Sequence, residues 1–259
     1  MEKTRITATF ERLASTNKKA FIPYIMAGDI SLEKTEELVL FLERNGADIV
    51  ELGVPFSDPL ADGPTIQRAA ERALINHVTL SKVIQTVSSL RTKTQIPIVL
   101  MTYFNPIYKL GIDTFINNAT EAGVDGIIIP DLPPDEEFDF IRTCAGKRLD
   151  TIFLLAPTST NNRIELVAKA SRGFIYYVSI TGITGSKIAV DNEMRAMIQR
   201  IQKISAKPVA VGFGVKEPQE AREVASIADG VIIGSSIVKA IREDEGRLQP
   251  YIMSLREAI

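Results

Sequence analysis

The sequence predicts a closed barrel of eight parallel strands ringed by helices, the (β/α)8 or TIM-barrel class, with one extra N-terminal helix. Three observations carry this expectation. Short apolar runs alternate with helical patterns from one end of the chain to the other. The runs are mostly continuous in apolar character, as suits strands covered on both faces. The length of 259 residues is that of one such barrel, about 250 residues. No linker or low-complexity stretch divides it, so residues 1–259 are expected to form one domain.

The segment Thr4–Ala14 places Phe10 and Leu13 on one side and reads as a helix covering the barrel bottom. The expected strands are Phe21–Ala27, Ile49–Gly53, Pro97–Tyr103, Gly126–Ile129, Thr151–Leu155, Phe174–Ser179, Pro208–Gly212 and Gly230–Ile233. Between them, helical patterns cover Leu32–Arg44, Thr65–Leu74, Thr79–Arg91, Ile112–Glu121, Asp135–Cys144, Asn162–Ala170, Asn192–Ile204 and Pro218–Ser226. Three junctions echo one another: Asn45-Gly-Ala-Asp48, Glu121-Ala-Gly-Val-Asp125 and Ile227-Ala-Asp229. Each puts an aspartate before a strand, and the first two add a glycine suited to ending a helix. The alternative, an open doubly wound sheet, usually carries Gly-x-Gly-x-x-Gly after its first strand. Here Tyr24-Ile-Met-Ala-Gly-Asp29 has a single glycine.

Lys and Arg number 30 against 32 Asp and Glu, a net charge of −2, with the signs interspersed. Such a balance gives no nucleic-acid or membrane surface. No apolar run approaches the roughly 18 residues of a membrane span. The lone Cys144 forms no internal disulfide and fits a reducing compartment. The start, Met-Glu-Lys-Thr-Arg5, lacks the apolar core of a signal peptide. The expectation is a soluble cytoplasmic protein.

Active sites of such barrels lie at the C-terminal strand ends. The polar residues there are Asp29, Glu51, Tyr103 with Asn105, Asp131, Thr158, the Ser179–Gly185 loop, the Gly212–Gly214 turn and Gly234-Ser235-Ser236. Glu51 stands inside an apolar strand, in the barrel mouth or under a helix. A buried carboxylate must be paired or must hold its proton. No basic residue neighbours it on its strand or loop, so it reads as a general acid–base. Asp62 either caps a helix opening at Pro64 or is an acid held in place, since Pro55, Pro59 and Pro64 stiffen its loop.

Gly212-Phe-Gly214 and Gly234-Ser-Ser236, the latter opening the helical stretch Ile237–Ile241, read as a phosphate cradle of backbone N–H groups. The loop Ser179–Lys187 reads as a mobile lid. No metal spacing occurs, and no expected strand holds a lysine for a Schiff base. His77 reads as a solvated loop residue and Cys144 as a packed thiol. The residues thus describe a barrel enzyme acting on a phosphorylated small molecule by carboxylate acid–base chemistry.

Over essentially its whole length the sequence also resembles the tryptophan synthase alpha chains. Phe21-Ile-Pro-Tyr-Ile-Met-Ala-Gly-Asp29 is similar to that family's first strand. Glu51-Leu-Gly-Val-Pro-Phe-Ser-Asp-Pro-Leu-Ala-Asp-Gly-Pro-Thr-Ile-Gln67 matches its signature without a departure. Met101-Thr-Tyr-Phe-Asn-Pro106, Pro130-Asp-Leu-Pro133, Tyr176–Gly185, Gly212-Phe-Gly214 and Gly234-Ser235 follow in order. The resemblance implies cleavage of indole-3-glycerol phosphate to indole and glyceraldehyde 3-phosphate. It makes Glu51 the proton carrier and Asp62 the acceptor for the indole N–H. It places Tyr24, Tyr103, Tyr176 and Phe213 near the substrate, and Gly185, Gly214, Gly234 and Ser235 at the phosphate. Thr184 becomes the lid residue that meets Asp62. The implied partner is a beta chain in an α2β2 tetramer, faced by the lid and by the loop Pro55–Leu60, with Pro55 and Asp58 as interface residues. Pyridoxal phosphate belongs to that partner, and neither metal nor cofactor is expected in this chain. The rival readings are an activator subunit with little or no catalysis, a stand-alone indole-producing lyase, and another phosphate-binding barrel isomerase.

Overall fold

The structure is a computed structural model that describes residues 3–179, 190–212, 214–243 and 245–259. Helix α1 (Arg5–Ser15) precedes strand β1 (Ala20–Met26). There follow α2 (Leu32–Arg44), β2 (Val50–Gly53), α3 (Pro64–Ile75), α4 (Leu80–Leu90) and β3 (Ile98–Met101). Next come α5 (Phe104–Leu110), α6 (Ile112–Glu121), β4 (Gly126–Ile128), α7 (Phe138–Gly146), β5 (Asp150–Ile152) and β6 (Leu154–Leu155). The chain continues through α8 (Asn161–Ala170), β7 (Ile175–Val178), α9 (Asn192–Ile204), β8 (Val209–Gly212) and α10 (Pro218–Ala225). It ends with β9 (Gly230–Ile233), α11 (Ser235–Glu243) and α12 (Glu245–Ala258).

All strand pairs are parallel, in the order β5-β4-β3-β2-β1-β9-β8-β7-β6. The two ends of that order, β5 and β6, are successive in the chain, so the sheet closes on itself as expected. The expected fifth strand, Thr151–Leu155, is split at Phe153. The Phe153 amide donates to the Ser171 hydroxyl (3.4 Å) instead of to a neighbouring strand. One half pairs with β4 and the other with β7.

Two helices escape the sequence patterns. In α5 the dipeptide Asn105-Pro106 reads as a loop, yet proline is tolerated in a first turn, where its missing N–H has no partner to lose. In α12 an internal Pro250 masks the periodicity. Helix α7 begins at Phe138 rather than Asp135, because Glu136 N–H closes a turn on Pro133 O (3.2 Å) first.

The three echoing aspartates share one device at the N-terminal end of the barrel. Asp48 N–H donates to Phe21 O (2.9 Å) and its carboxylate accepts from Phe21 N–H (3.0 Å). Asp125 does the same with Ile98 (3.0 and 2.8 Å), and Asp229 with Val209 (2.8 and 3.0 Å). Each aspartate thereby satisfies both backbone groups of a residue at the start of the adjacent strand, the first residue for Ile98 and Val209 and the second for Phe21. Basic side chains flank these acids: Arg12 and Arg256 at Asp48, Arg5 and Arg91 at Asp125, and Lys19 at Asp229. Gly46 and Gly123 take the left-handed conformation expected of them (φ 94° and 83°). Helix α1 covers this end as expected, burying Ile6, Phe10 and Leu13. Its Phe10 ring lies 5.5 Å from that of Phe174, and the Thr4 hydroxyl donates to Asp150 (2.6 Å).

Asp125→Ala leaves the mostly buried Arg91 without its carboxylate and the Ile98 N–H without an acceptor. The expected loss is roughly 3–5 kcal/mol, as for breaking a buried ion pair. Denaturant unfolding of wild type and variant measures it, and a loss below about 1 kcal/mol, the size of an exposed pair, contradicts this role.

Candidate active site

The opposite end of the barrel collects a different set of side chains. Glu51 lies on β2 in register with Tyr24 of β1 and Val99 of β3. Its side chain points into the barrel mouth and lines a cavity of about 130 Å³ with Tyr24, Asp62, Met101, Tyr176, Gly214, Gly234 and Ser235. Glu51 is 1% exposed, and neither carboxylate oxygen has a hydrogen-bond partner among the described residues. Burial, with the charge of Asp62 second, lifts its carboxyl pKa from 4.5 to about 8.

Asp62 is not the cap of α3. That position belongs to Gly63, with Pro64 in the first turn, so the carboxylate is free to face the cavity. Burial lifts it from 3.8 to about 6, moderated by the Tyr103 hydroxyl, which favours the charged form. The loop is held at several points. Asp62 N–H donates to Pro59 O (3.0 Å), Ala61 N–H donates to the Tyr103 hydroxyl (2.9 Å), and Gln67 Nε2 donates to Asp62 O (2.9 Å). The Phe56 ring lies tilted, 5.2 Å from that of Tyr103. Helix α3 is itself anchored: Arg72 forms a paired contact with both oxygens of Asp29, and Asn76 Nδ2 donates to Gly28 O (3.0 Å). Asp29 is thus a brace for this helix. Asp131 likewise accepts from Phe104 N–H (2.9 Å) at the start of α5.

Two buried tyrosines fit only because a strand-end glycine faces each. A Cβ on Gly53 would lie 2.0 Å from the Tyr24 hydroxyl, and one on Gly212 would lie 2.2 Å from that of Tyr176. Burial raises both phenols far above their ordinary pKa, so they stay neutral. Gly214, Gly234 and Ser235 meet at the same cavity, where α11 begins at Ser235, two residues before the expected stretch. Thr184, Gly185 and Phe213 lie outside the described residues. Pro55 is buried in the chain, Asp58 is exposed, and Leu60 beside them is 95% exposed.

The sequence reading missed Gly63, Ile66, Met101 and Ile232 as lining residues. Met101 was within reach. It is two residues after Val99, the register partner of Glu51, and so shares the interior face. Cys144 is buried, its thiol pushed up to about 12 by burial, and His77 is exposed at a left-handed turn after α3. Among the described residues no cluster of three or more His, Cys, Asp or Glu could hold a metal, and no helix is long and apolar enough to cross a membrane.

A family model described as tryptophan synthase alpha chain matches residues 10–257. The chain belongs to the tryptophan synthase alpha chain family. The alpha chain of Geotalea daltonii is 50% identical to it, over 94% of this chain and 92% of the relative. That of Geobacter sulfurreducens is 48% identical over 99% of each. The crystal structure of tryptophan synthase subunit alpha from Legionella pneumophila superposes with a TM-score of 0.92 at 38% identity, covering 100% of this chain and 99% of that one. A Mycobacterium tuberculosis tryptophan synthase structure gives 0.92 at 36%, with the same coverage. The protein is therefore an alpha subunit of tryptophan synthase, a lyase subunit acting in tryptophan biosynthesis, and the family implies a beta-chain partner.

Glu51 binds its proton more tightly in the folded chain than in the unfolded one. Between pH 4.5 and about 8 the folded state therefore carries the extra proton, and stability falls as pH rises through that window. Asp62 adds a loss of the same sign between 3.8 and about 6. Glu51→Gln cannot ionise. Thermal unfolding at pH values from about 5 to about 8 should show a steeper decline for wild type than for Glu51→Gln; parallel declines would contradict a desolvated Glu51.

Proposed function

We propose that this alpha subunit cleaves indole-3-glycerol phosphate by a retro-aldol step in which Glu51 carries the proton and Asp62 holds the developing charge. The observation that supports this reading is the pair of carboxyls in one cavity with pKa values pushed apart, about 8 for Glu51 and about 6 for Asp62. Near neutral pH one holds its proton and the other does not, which is how two carboxyls take acid and base roles. Protonated Glu51 gives its proton to indole C3, and positive charge appears on the indole ring. Asp62 accepts a hydrogen bond from the ring N–H and offsets that charge. The Glu51 carboxylate then takes the proton of the glycerol hydroxyl beside the bond. The carbon–carbon bond breaks, leaving indole and the aldehyde, and Glu51 ends protonated as it began.

Gly214, Gly234 and Ser235 supply backbone N–H groups for the phosphate, joined by Gly185. Tyr24, Tyr103, Tyr176 and Phe213 hold the remainder of the substrate. Thr184 meets Asp62 when the loop around it closes and excludes water. The chain acts as one domain, residues 1–259, in the cytoplasm, as half of an α2β2 tetramer. The beta chain brings the pyridoxal phosphate, and this chain needs no cofactor of its own. The face around Pro55 and Asp58, with the exposed Leu60, meets that partner.

Indole release from indole-3-glycerol phosphate, measured with and without the cognate beta chain, tests the whole reading. Glu51→Gln should fold and bind partner yet lose about 10²–10⁴-fold in turnover, the range of general acid–base catalysis. Near-normal turnover would remove Glu51 from the chemistry. Asp62→Asn should cost on the order of 10²–10³-fold, as for one preorganised electrostatic group, and that cost should shrink with indole rings whose N–H needs less stabilisation.

A further inference from the structure

The backbone just after Gly214 is gripped by side chains from three separate helices. The Ser236 hydroxyl of α11 donates to Val215 O (3.0 Å). The Tyr251 hydroxyl of α12 donates to Lys216 O (2.7 Å). The Glu220 carboxylate of α10 accepts from Lys216 N–H (2.7 Å) and Glu217 N–H (3.0 Å). Glu220 also closes the capping box of α10 and is 8% exposed, an unusually buried position for an acid on an outer helix. Three consecutive residues, 215 to 217, thus have four backbone groups satisfied by side chains, two by Glu220 of the helix that Glu217 caps and two from the more distant α11 and α12.

Packing does not explain this grip. On the side of Lys216 and Glu217 lies an open groove of about 960 Å³, lined also by Ser235, Ser236 and Tyr251. Apolar contact holds Val215, but the next two residues border open space and are fixed by hydrogen bonds. Ser236 is the second residue of α11, whose first turn faces the cavity beside Gly234. Its bond therefore ties one side of the cavity rim directly to the other. Recognition of an anion by backbone N–H groups depends on their spacing being set before the ligand arrives.

We propose that Ser236, Tyr251 and Glu220 are positioning residues of the phosphate cradle, setting Gly214 at a fixed distance from the N-terminus of α11. None touches the reacting atoms. The proposal rests on the phosphate reading of Gly214, Gly234 and Ser235. It adds that the C-terminal helix, through one hydroxyl, belongs to the binding machinery.

The test is calorimetric titration of the full chain with sn-glycerol 3-phosphate, for wild type, Ser236→Ala, Ser236→Thr and Tyr251→Phe, alongside steady-state indole release with the beta chain. Ser236→Ala and Tyr251→Phe should each weaken the probe by roughly 3- to 10-fold, the worth of one hydrogen bond. In turnover KM should rise by a similar factor while kcat changes less. Ser236→Thr keeps the hydroxyl and should bind like wild type. Wild-type affinity in both Ser236→Ala and Tyr251→Phe overturns the positioning role. So does an equal fall of kcat, kcat/KM and melting temperature in those variants, which would mark the contacts as general scaffolding. If wild type itself does not bind the probe, the phosphate reading fails and this proposal goes with it.

Discussion

The desolvation of Glu51 is the constraint on which the rest of the molecule depends. A carboxyl group without partners is tolerated inside a protein only where its surroundings cannot shift to hydrate or neutralise it. β2 supplies that rigidity, being paired on both sides and covered on both faces. A neighbouring arginine or lysine would make the group comfortable and would also pull its pKa back down. Its isolation is what suits it to the proton transfer proposed for it, and the second acid, part-exposed on a pinned loop, is less isolated and its pKa is raised less.

The two ends of the barrel divide the charged residues between them. At the N-terminal end Asp48 and Asp125 are paired with arginines and hold the starts of neighbouring strands, and Asp150 accepts from the Thr4 hydroxyl. At the C-terminal end Glu51 has no hydrogen-bond partner among the described residues. Fold stability and reactivity thus draw on the same residue types at opposite ends of the same strands, which lets either be altered with little cost to the other.

Much of this was legible in the sequence because the signals are local. Continuous apolar runs mark the strands, and the repeated aspartates mark the junctions. A glutamate inside an apolar run announces itself by its cost. Asp62 was ambiguous locally, since a residue two positions before a proline at a helix start can be a cap. Only the placement of Gly63 at the cap frees its side chain. Long-range features were silent. Nothing near Phe153 says that its amide will turn to Ser171, and nothing in the C-terminal stretch says that Tyr251 will reach Lys216, 35 residues earlier. The proline signals misled in α5 and α12, because proline's penalty depends on its place in the turn and on what else holds the helix.

The break at Phe153 makes the barrel wall unequal around its circumference in what holds neighbouring segments together. Two arcs of sheet meet there, β1 to β5 on one side and β6 to β9 on the other. Across that seam they are joined by chain connectivity and by bonds outside the strand ladder: Arg172 N–H donates to Thr151 O (2.8 Å), Tyr176 N–H to Phe153 O (3.1 Å), the Thr151 hydroxyl to Ala170 O (3.1 Å) and Phe153 N–H to the Ser171 hydroxyl (3.4 Å). β1, bonded to both β2 and β9, is the common spine of the two arcs and stands opposite the seam. Tyr24 is carried on that spine and Glu51 on the strand beside it. Glu51 therefore sits where the wall is continuously laddered on both sides, while the seam, where side chains and loop backbone replace the ladder, lies on the far side of the cylinder.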